Sequence, residues 1–311
     1  MNRFIYMGAA ALMLFGSASC SNNSKQQGTS ESKAPASVKE DILVGSLNVI
    51  VDASVFPLLK EQEDVFLSAY PNAKLNFIAK PEVLAVKNLL EDKGSVAILA
   101  RKLSEEENKN FASRSIQPRV FPIFSDAIVF VSHTNSSDTS VTIQEVLDLM
   151  KGTSTSGKRL LFDNLNSSSF RQLKSLGNLD KVASSFVEGA NTAKEVLETV
   201  AATAGKIGVI SYNEYLDLKL SFSNNIRILS VKNTIGDKPD NIYYKPNQST
   251  IAAEQYPLRR TFYVLNYQPN LGLGLGFSAF LTGDRGQRIV LKSGLVPATM
   301  PGREIIVRDK I

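Results

Sequence analysis

Three consecutive hydroxyl side chains, Ser167, Ser168 and Ser169, stand at the predicted start of a helix. They follow an apolar run at residues 160–162 that is typical of a buried strand, and apolar side chains then recur at helical spacing. The first N–H groups of a helix lack internal partners, and the peptide dipoles add partial positive charge there. Hydroxyls and amides together can bind an anion at such a point. The same pattern is also typical of a plain helix cap, with Asn166 or Ser167 as the capping residue.

The elements around this helix start alternate between strand and helix. We predict strands at residues 47–51, 75–78, 96–100, 123–131, 160–162, 206–210, 226–231 and 260–265. We predict helices at residues 55–70, 81–90, 191–204 and 277–292, the last broken near Gly283, and capping-box sequences begin further helices after Ser104 and Thr142. Residues 236–255 are rich in Pro, Asn and Asp, which favours a loop. The alternation predicts an α/β fold with mostly parallel sheet.

The composition limits the classes of function. The 311 residues are 43% hydrophobic and 21% charged, as in a folded protein with a sizeable core. The net charge of +5 is mild and no basic run with interleaved aromatic residues occurs, so we expect no nucleic-acid partner. One histidine and one cysteine exclude most histidine-based metal sites and leave zinc without obvious ligands, and we expect no cofactor. A serine hydrolase would need His133, which lies in a predicted loop, where a solvated histidine is the simpler interpretation.

The first forty residues indicate export and anchoring. Residues 1–20 carry one arginine, an apolar run and small residues before Cys20, and they predict a signal peptide. A signal that ends in this way resembles that of a bacterial lipoprotein, which implies that Cys20 is lipidated and held at a membrane. An ordinary signal peptide with an isolated thiol is the alternative. Residues 21–40 are polar and predict a flexible tether.

The order of several short segments resembles the phosphate-binding solute receptors of bacterial ABC importers. The segments are DASVFP at residues 52–57, SVAILARKL at 95–103, PIFSDAIV at 122–129, the serine trio, GKIGV at 205–209, YPLRR at 256–260, and GLVP at 294–297. The resemblance covers most of the chain after Gly45. It implies a two-lobed periplasmic-binding-protein-like fold, in which each lobe is a mostly parallel sheet flanked by helices. Lobe 1 would comprise residues 41–126 and 258–311 and lobe 2 residues 127–257, joined by crossover strands near Phe130 and Phe262.

The resemblance also implies a ligand site between the lobes, and this chain departs from the family there. Asp163 stands where the family has an arginine that holds the oxyanion, so we expect phosphate to bind more weakly than in receptors that keep that arginine. Arg101 can supply the charge instead, or it can form a surface ion pair with Glu105 or Glu106. Asp52 replaces a usual glycine, and it either caps its helix or accepts a ligand proton. The predicted ligand-binding residues are Asp52, Ser54, Val55, Arg101, Asn166, Ser167, Ser168 and Ser169.

These inferences predict a binding protein and not an enzyme. The resemblance implies a lipid-anchored extracytoplasmic receptor, a monomer, that binds phosphate or a related small oxyanion and delivers it to the membrane subunits of an ABC importer. The alternative is a receptor-like lipoprotein with altered or lost ligand specificity that acts in interaction or sensing. Asp163 favours the alternative, because it places negative charge where an anion would sit.

Overall fold

The computed structural model describes residues 41–235 and 238–302. The predicted signal peptide, Cys20 and the tether at residues 21–40 lie outside the described residues. No helix of the described part is both long enough and apolar enough to cross a bilayer.

Strands and helices alternate along the described chain as predicted. The strands are β1 Gly45–Asp52, β2 Ala73–Lys80, β3 Val96–Leu99, β4 Arg119–His133, β5 Ser140–Val141, β6 Arg159–Phe162, β7 Val187–Gly189, β8 Lys206–Ser211, β9 Ile226–Ile228, β10 Ser230–Lys232, β11 Tyr243–Tyr244, β12 Arg259–Asn266 and β13 Val296–Pro297. The helices are α1 Phe56–Ala69, α2 Glu82–Leu90, α3 Glu105–Ala112, α4 Ile143–Lys151, α5 Ser168–Leu176, α6 Ala193–Ala202, α7 Tyr212–Phe222, α8 Gln248–Ala252, α9 Leu273–Thr282 and α10 Asp284–Ser293. A short 3-10 turn, Ala53–Val55, leads into α1.

The main sheet has the strand order β2-β1-β3-β12-β4-β8-β6-β7. Pairs within β2-β1-β3 and within β8-β6-β7 are parallel, whereas the pairs made by β12 and β4 are antiparallel. The long strand β4 pairs with β12 through its first part and with β8 through its second part. It therefore joins two parallel groups of strands, and the predicted α/β fold with crossover strands is confirmed.

Local signals fixed several boundaries correctly. Both predicted capping boxes, at Ser104 and Thr142, form with their partner glutamates, and the last helical region breaks at Gly283. Two predictions were wrong, and one helix was missed. The predicted loop at residues 236–255 contains β11 and α8, residues 226–231 form two strands instead of one, and α7 follows β8 where no helix was predicted.

Aromatic packing in the core holds β12 against β4. Phe124 and Phe262 are fully buried cross-strand partners whose rings stack with centroids 5.1 Å apart. Two residues further along the same two strands, and therefore on the same face, Asp126 and Arg260 form a cross-strand pair. Side chains of directly opposite residues in an antiparallel pair meet on one face, so aromatic packing at one pair sets the position of the charged pair beside it.

Candidate functional site

An ion pair between Arg260 and Asp126 lies at the centre of the candidate site. The Arg260 Nε and Nη2 atoms donate to Asp126 Oδ2 over 3.0 and 2.9 Å. The two side chains are only 2% and 0% exposed. Charges this deeply buried persist only when paired and hydrogen-bonded, so each residue fixes the other.

The remaining N–H groups of Arg260 donate to serines on two helix starts. The Nη1 atom lies 2.8 Å from Ser168 Oγ and 3.1 Å from Ser169 Oγ, at the first turn of α5. The Nη2 atom also lies 3.4 Å from Ser54 Oγ, in the turn before α1. We call Ser54, Asp126, Ser168, Ser169 and Arg260 the Arg260 cluster. It joins residues that are up to 206 positions apart in sequence.

The first residue of the serine trio has a different role from the other two. Ser167 is the N-cap of α5, and its hydroxyl accepts the Phe170 amide over 3.3 Å. The same hydroxyl donates to Asp163 Oδ1 over 2.9 Å. The structure thus shows the helix cap at Ser167, while the hydroxyls of Ser168 and Ser169 accept hydrogen bonds from a guanidinium.

A third helix start meets the cluster through Asp126. The Ser211 hydroxyl donates to Asp126 Oδ2 over 2.8 Å, and the Asn213 amide donates to Oδ1 over 3.0 Å, both at the beginning of α7. The Asn213 side-chain amide also donates to the Ser54 carbonyl over 3.1 Å. Three helix starts thus converge on one buried arginine, which concentrates partial positive charge at this point.

Carboxyl groups surround the same point and oppose that positive charge. Burial raises the pKa of Asp163 to about 6, with repulsion from Asp52 adding to the effect and the Ser167 hydroxyl and Arg260 opposing it. Burial also raises the pKa of Asp52, against the effect of Arg260. The pKa of Glu214, in the first turn of α7, is raised well above its usual range by burial and then by Asp163.

Arg101 belongs to a separate ion-pair network. Its guanidinium forms a two-point pair with Glu107 through Nη1 and Nη2, each over 2.7 Å, and its Nε lies 3.3 Å from Glu82. Glu82 is fully buried and also binds Arg171 of α5, whose Nη2 lies 3.2 Å from Glu82 Oε2. The sequence interpretation placed the Arg101 ion pair at Glu105 or Glu106, whereas the partners are Glu107 and Glu82. The charge beside the serine trio comes from Arg260.

Two other predicted site residues also lie outside the cluster. Val55 is fully buried and packs in the main hydrophobic core. Asn166 is exposed, and its carbonyl accepts the Val83 amide over 3.1 Å. Asp52 and Ser54 do meet, since Asp52 Oδ1 accepts the amide and the hydroxyl of Ser54 over 3.0 and 2.9 Å. The predicted capping role of Asp52 is therefore present in the structure.

An open cavity of about 400 Å³ reaches Arg260 from the side of the Arg101 network. Its lining includes Arg101, Lys102 and Arg171, and the Lys102 ammonium lies 5.5 Å from the centre of the Tyr263 ring. Basic side chains around such an opening attract anions and raise their local concentration. Arg101 thus stands at the approach to the cluster.

Sequence reasoning missed Arg260 and Asp126 although a signal for both was available. Arg260 alternates with Phe262 and Val264 on the buried face of β12. Asp126 interrupts the apolar run of β4. A charge on the buried face of a strand needs a partner, and two such strands in one fold predict that the two charges meet.

Other chemistries find little support in the described part of the chain. No group of His, Cys, Asp or Glu side chains there is arranged to hold a metal ion. His133 ends β4, and its Nδ1 accepts the Asn135 amide over 3.0 Å, within its own turn. It is thus engaged locally instead of activating a serine of the trio.

Comparison with solved structures shows the fold. A protein from Clostridium perfringens, described as a phosphate ABC transporter substrate-binding protein with bound phosphate, is 17% identical, with 82% of this chain and 100% of that chain aligned at a TM-score of 0.67. An ABC-type phosphate transport receptor from Vibrio cholerae is 17% identical over 81% of this chain and 100% of its own, with a TM-score of 0.63. The CcmR regulatory domain of Synechocystis in complex with 2-PG is 13% identical. The alignment covers 76% of this chain and 95% of that domain, with a TM-score of 0.52.

A search of curated protein sequences finds no match. The model of the PBP superfamily domain (PBP_like_2) matches residues 29–285, which is most of the chain. The mixed α/β architecture with helices around a mostly parallel sheet agrees with that match. The chain therefore belongs to the PBP superfamily, a family of binding proteins and not of enzymes.

Proposed function

We propose that this protein is an extracytoplasmic receptor, a monomer, that binds phosphate or a related small oxyanion and delivers it to an ABC importer. One observation supports the ligand class above all. A buried guanidinium meets the hydroxyls of Ser54, Ser168 and Ser169 where three helices begin. Hydroxyls, helix-start amides and an arginine are the groups that bind oxyanions through charge-assisted hydrogen bonds.

Titration calorimetry of the mature protein with phosphate, sulfate and a neutral sugar tests the ligand class. We expect heat with the oxyanions and none with the sugar. The Ser168→Ala/Ser169→Ala variant should bind phosphate at least about tenfold more weakly, because it removes two of the hydroxyls that face the site. Unchanged affinity in that variant would place the ligand elsewhere.

The membrane anchor and the two-lobed organisation are part of the same proposal. Cys20 is the only cysteine and closes the predicted export signal, so Cys20→Ser should release the protein from the membrane fraction. We place the lobe boundaries at residues 126/127 and 257/258. Two lobes joined in this way should close on their ligand, so solution scattering should detect compaction when ligand is added. A membrane-bound Cys20→Ser protein would contradict the lipid anchor, and scattering unchanged by saturating ligand would contradict closure.

A second function is supported by Asp163. Its buried carboxyl lies beside the serines, where added negative charge opposes an anion. A receptor-like lipoprotein with altered specificity, acting in interaction or sensing, would keep the fold without tight phosphate binding. Absence of phosphate binding in calorimetry, with the protein folded, would favour this second function.

A further inference from the structure

Three carboxyl groups that interact electrostatically with Arg260 form no salt bridge within the described part of the chain. Asp52 and Asp163 are 1% and 6% exposed, and Glu214 is partly buried in the first turn of α7. Arg260, whose positive charge acts on all three, already forms the ion pair with Asp126. If all three carboxyls were ionised, an incoming anion would therefore meet a net negative site.

Asp52 gives independent evidence that this face is built to meet a ligand. Its Oδ1 atom is satisfied by the Ser54 amide and hydroxyl. Its Oδ2 atom is buried and makes no hydrogen bond of ordinary geometry among the described residues, although the nearby Ser168 hydroxyl acts to lower the pKa of this carboxyl. A buried polar atom without a partner is costly, so a group that completes its hydrogen bonding is expected. A protonated Oδ2 would donate to an anion, and an ionised one would repel it.

The surroundings shift the equilibrium of each of these carboxyls toward its protonated form. Burial is the largest cause that raises the pKa of each of the three carboxyls, and their mutual repulsion raises the pKa of Asp163 and Glu214 further. Arg260 acts in the opposite direction on all three. Glu82 of α2 adds repulsion at Asp52, although its own charge is bound by Arg101 and Arg171.

We propose that anion binding at the Arg260 cluster is coupled to proton uptake by Asp52, Asp163 and Glu214, so that affinity for a small oxyanion rises as pH falls. The inference rests on the proposed function and adds regulation to its site. Each bound proton removes a negative charge from the site, and a proton on Asp52 Oδ2 also adds an O–H donor there. The same residues then attract an anion at acidic pH and repel it at alkaline pH.

Calorimetry from about pH 5.5 to about pH 8, in buffers of different ionisation enthalpy, tests this coupling on the mature protein. Phosphate and sulfate are the probes. Sulfate stays a dianion throughout, so its pH dependence reports protein groups alone. We expect affinity for the bound probes to fall at least about tenfold over this range. We also expect net uptake of about one proton or more per anion near neutral pH, beyond the proton exchange of phosphate itself.

The variant Asp52→Asn/Asp163→Asn/Glu214→Gln should lose the excess proton uptake and bind the probes more tightly than wild type at about pH 8. The matched control Glu198→Gln removes an exposed carboxylate of α6 and should keep the wild-type pH dependence. If the triple variant does not fold, the number of protons that the wild-type protein takes up per bound anion tests the coupling instead. Binding without excess proton uptake overturns the coupling alone. No binding of either anion at any pH overturns the proposed function together with the coupling.

Discussion

Arg260 and Arg101 both lie at the same cavity, and they differ in almost every physical respect. Arg260 is 2% exposed and its donors are divided among a carboxylate and three serine hydroxyls. Arg101 is 25% exposed and its donors are directed to two glutamates and a backbone carbonyl. Residue type and position near a strand end made Arg101 the better candidate in the sequence. Burial and hydrogen-bond partners therefore determine which of the two cations shapes the site.

The largest expected effect distinguishes the two arginines directly. Arg260→Ala leaves Asp126 buried without its cation, which should lower the free energy of unfolding by about 3–5 kcal/mol and abolish oxyanion binding. Urea unfolding and calorimetry measure the two effects. Arg260→Lys keeps the positive charge but loses the planar guanidinium with its several donors, so it should retain part of the stability and part of the oxyanion binding. An equal loss of stability in Arg101→Ala would refute the distinction.

Asp163 should produce the next largest effect, and it depends on pH. Its folded-state pKa of about 6 exceeds the ordinary value of 3.8, so its contribution to stability is complete below about pH 4 and is lost as pH rises through 6. Asp163→Asn should remove that loss and raise the free energy of unfolding at pH 7 by up to roughly 3 kcal/mol. Chemical denaturation of both proteins at pH 4.5 and pH 7.5 provides the check. A stability difference that does not grow with pH would contradict the buried, proton-binding state of this carboxyl.

The third largest effect is expected for Ser168 and Ser169, the two serines whose hydroxyls face Arg260. Ser168→Ala/Ser169→Ala removes two acceptors from a buried guanidinium and should cost about 1.5–3 kcal/mol of unfolding free energy. The control Ser175→Ala changes an exposed serine later in the same helix and should have little effect. Equal stability of the double variant and the control would indicate that Arg260 finds other acceptors.

The smallest effect is expected at Arg101. Arg101→Ala should cost under about 1 kcal/mol, because the Glu107 pair is partly exposed and Arg171 still neutralises Glu82. The pKa of Glu107 is lowered to about 2, chiefly by its hydrogen bond to Arg101, and should return toward its ordinary value in this variant. NMR titration measures that change.

A double variant tests whether Arg101 and Arg171 share Glu82 as a common partner. Arg101→Ala/Arg171→Ala leaves the fully buried Glu82 without either cation, so its cost should exceed the sum of the two single variants. Purely additive costs would show that the network does not share Glu82 in the way that the structure indicates.

Local chemistry by itself determined much of this protein. The alternation of apolar runs and helical spacing gave the α/β class, and the side chains of Ser104 and Thr142 marked two helix starts, because these signals act within a few residues. The cap at Ser167 and the turn at Asp52 and Ser54 were likewise predictable. The helix α7 was missed, although Ser211 and Glu214 form its capping box.

Only the tertiary structure decided which charges meet. Arg260 and Asp126 are 134 positions apart and become neighbours through the antiparallel register of β12 and β4. The same packing brings Asp52, Asp163 and Glu214, which lie far apart in sequence, within electrostatic range of one guanidinium. Side-chain type and spacing carry no record of burial or of long-range register, and electrostatic interactions depend on both. For that reason the sequence indicated the hydroxyls of the site, and the fold supplied the arginine and carboxyls that control them.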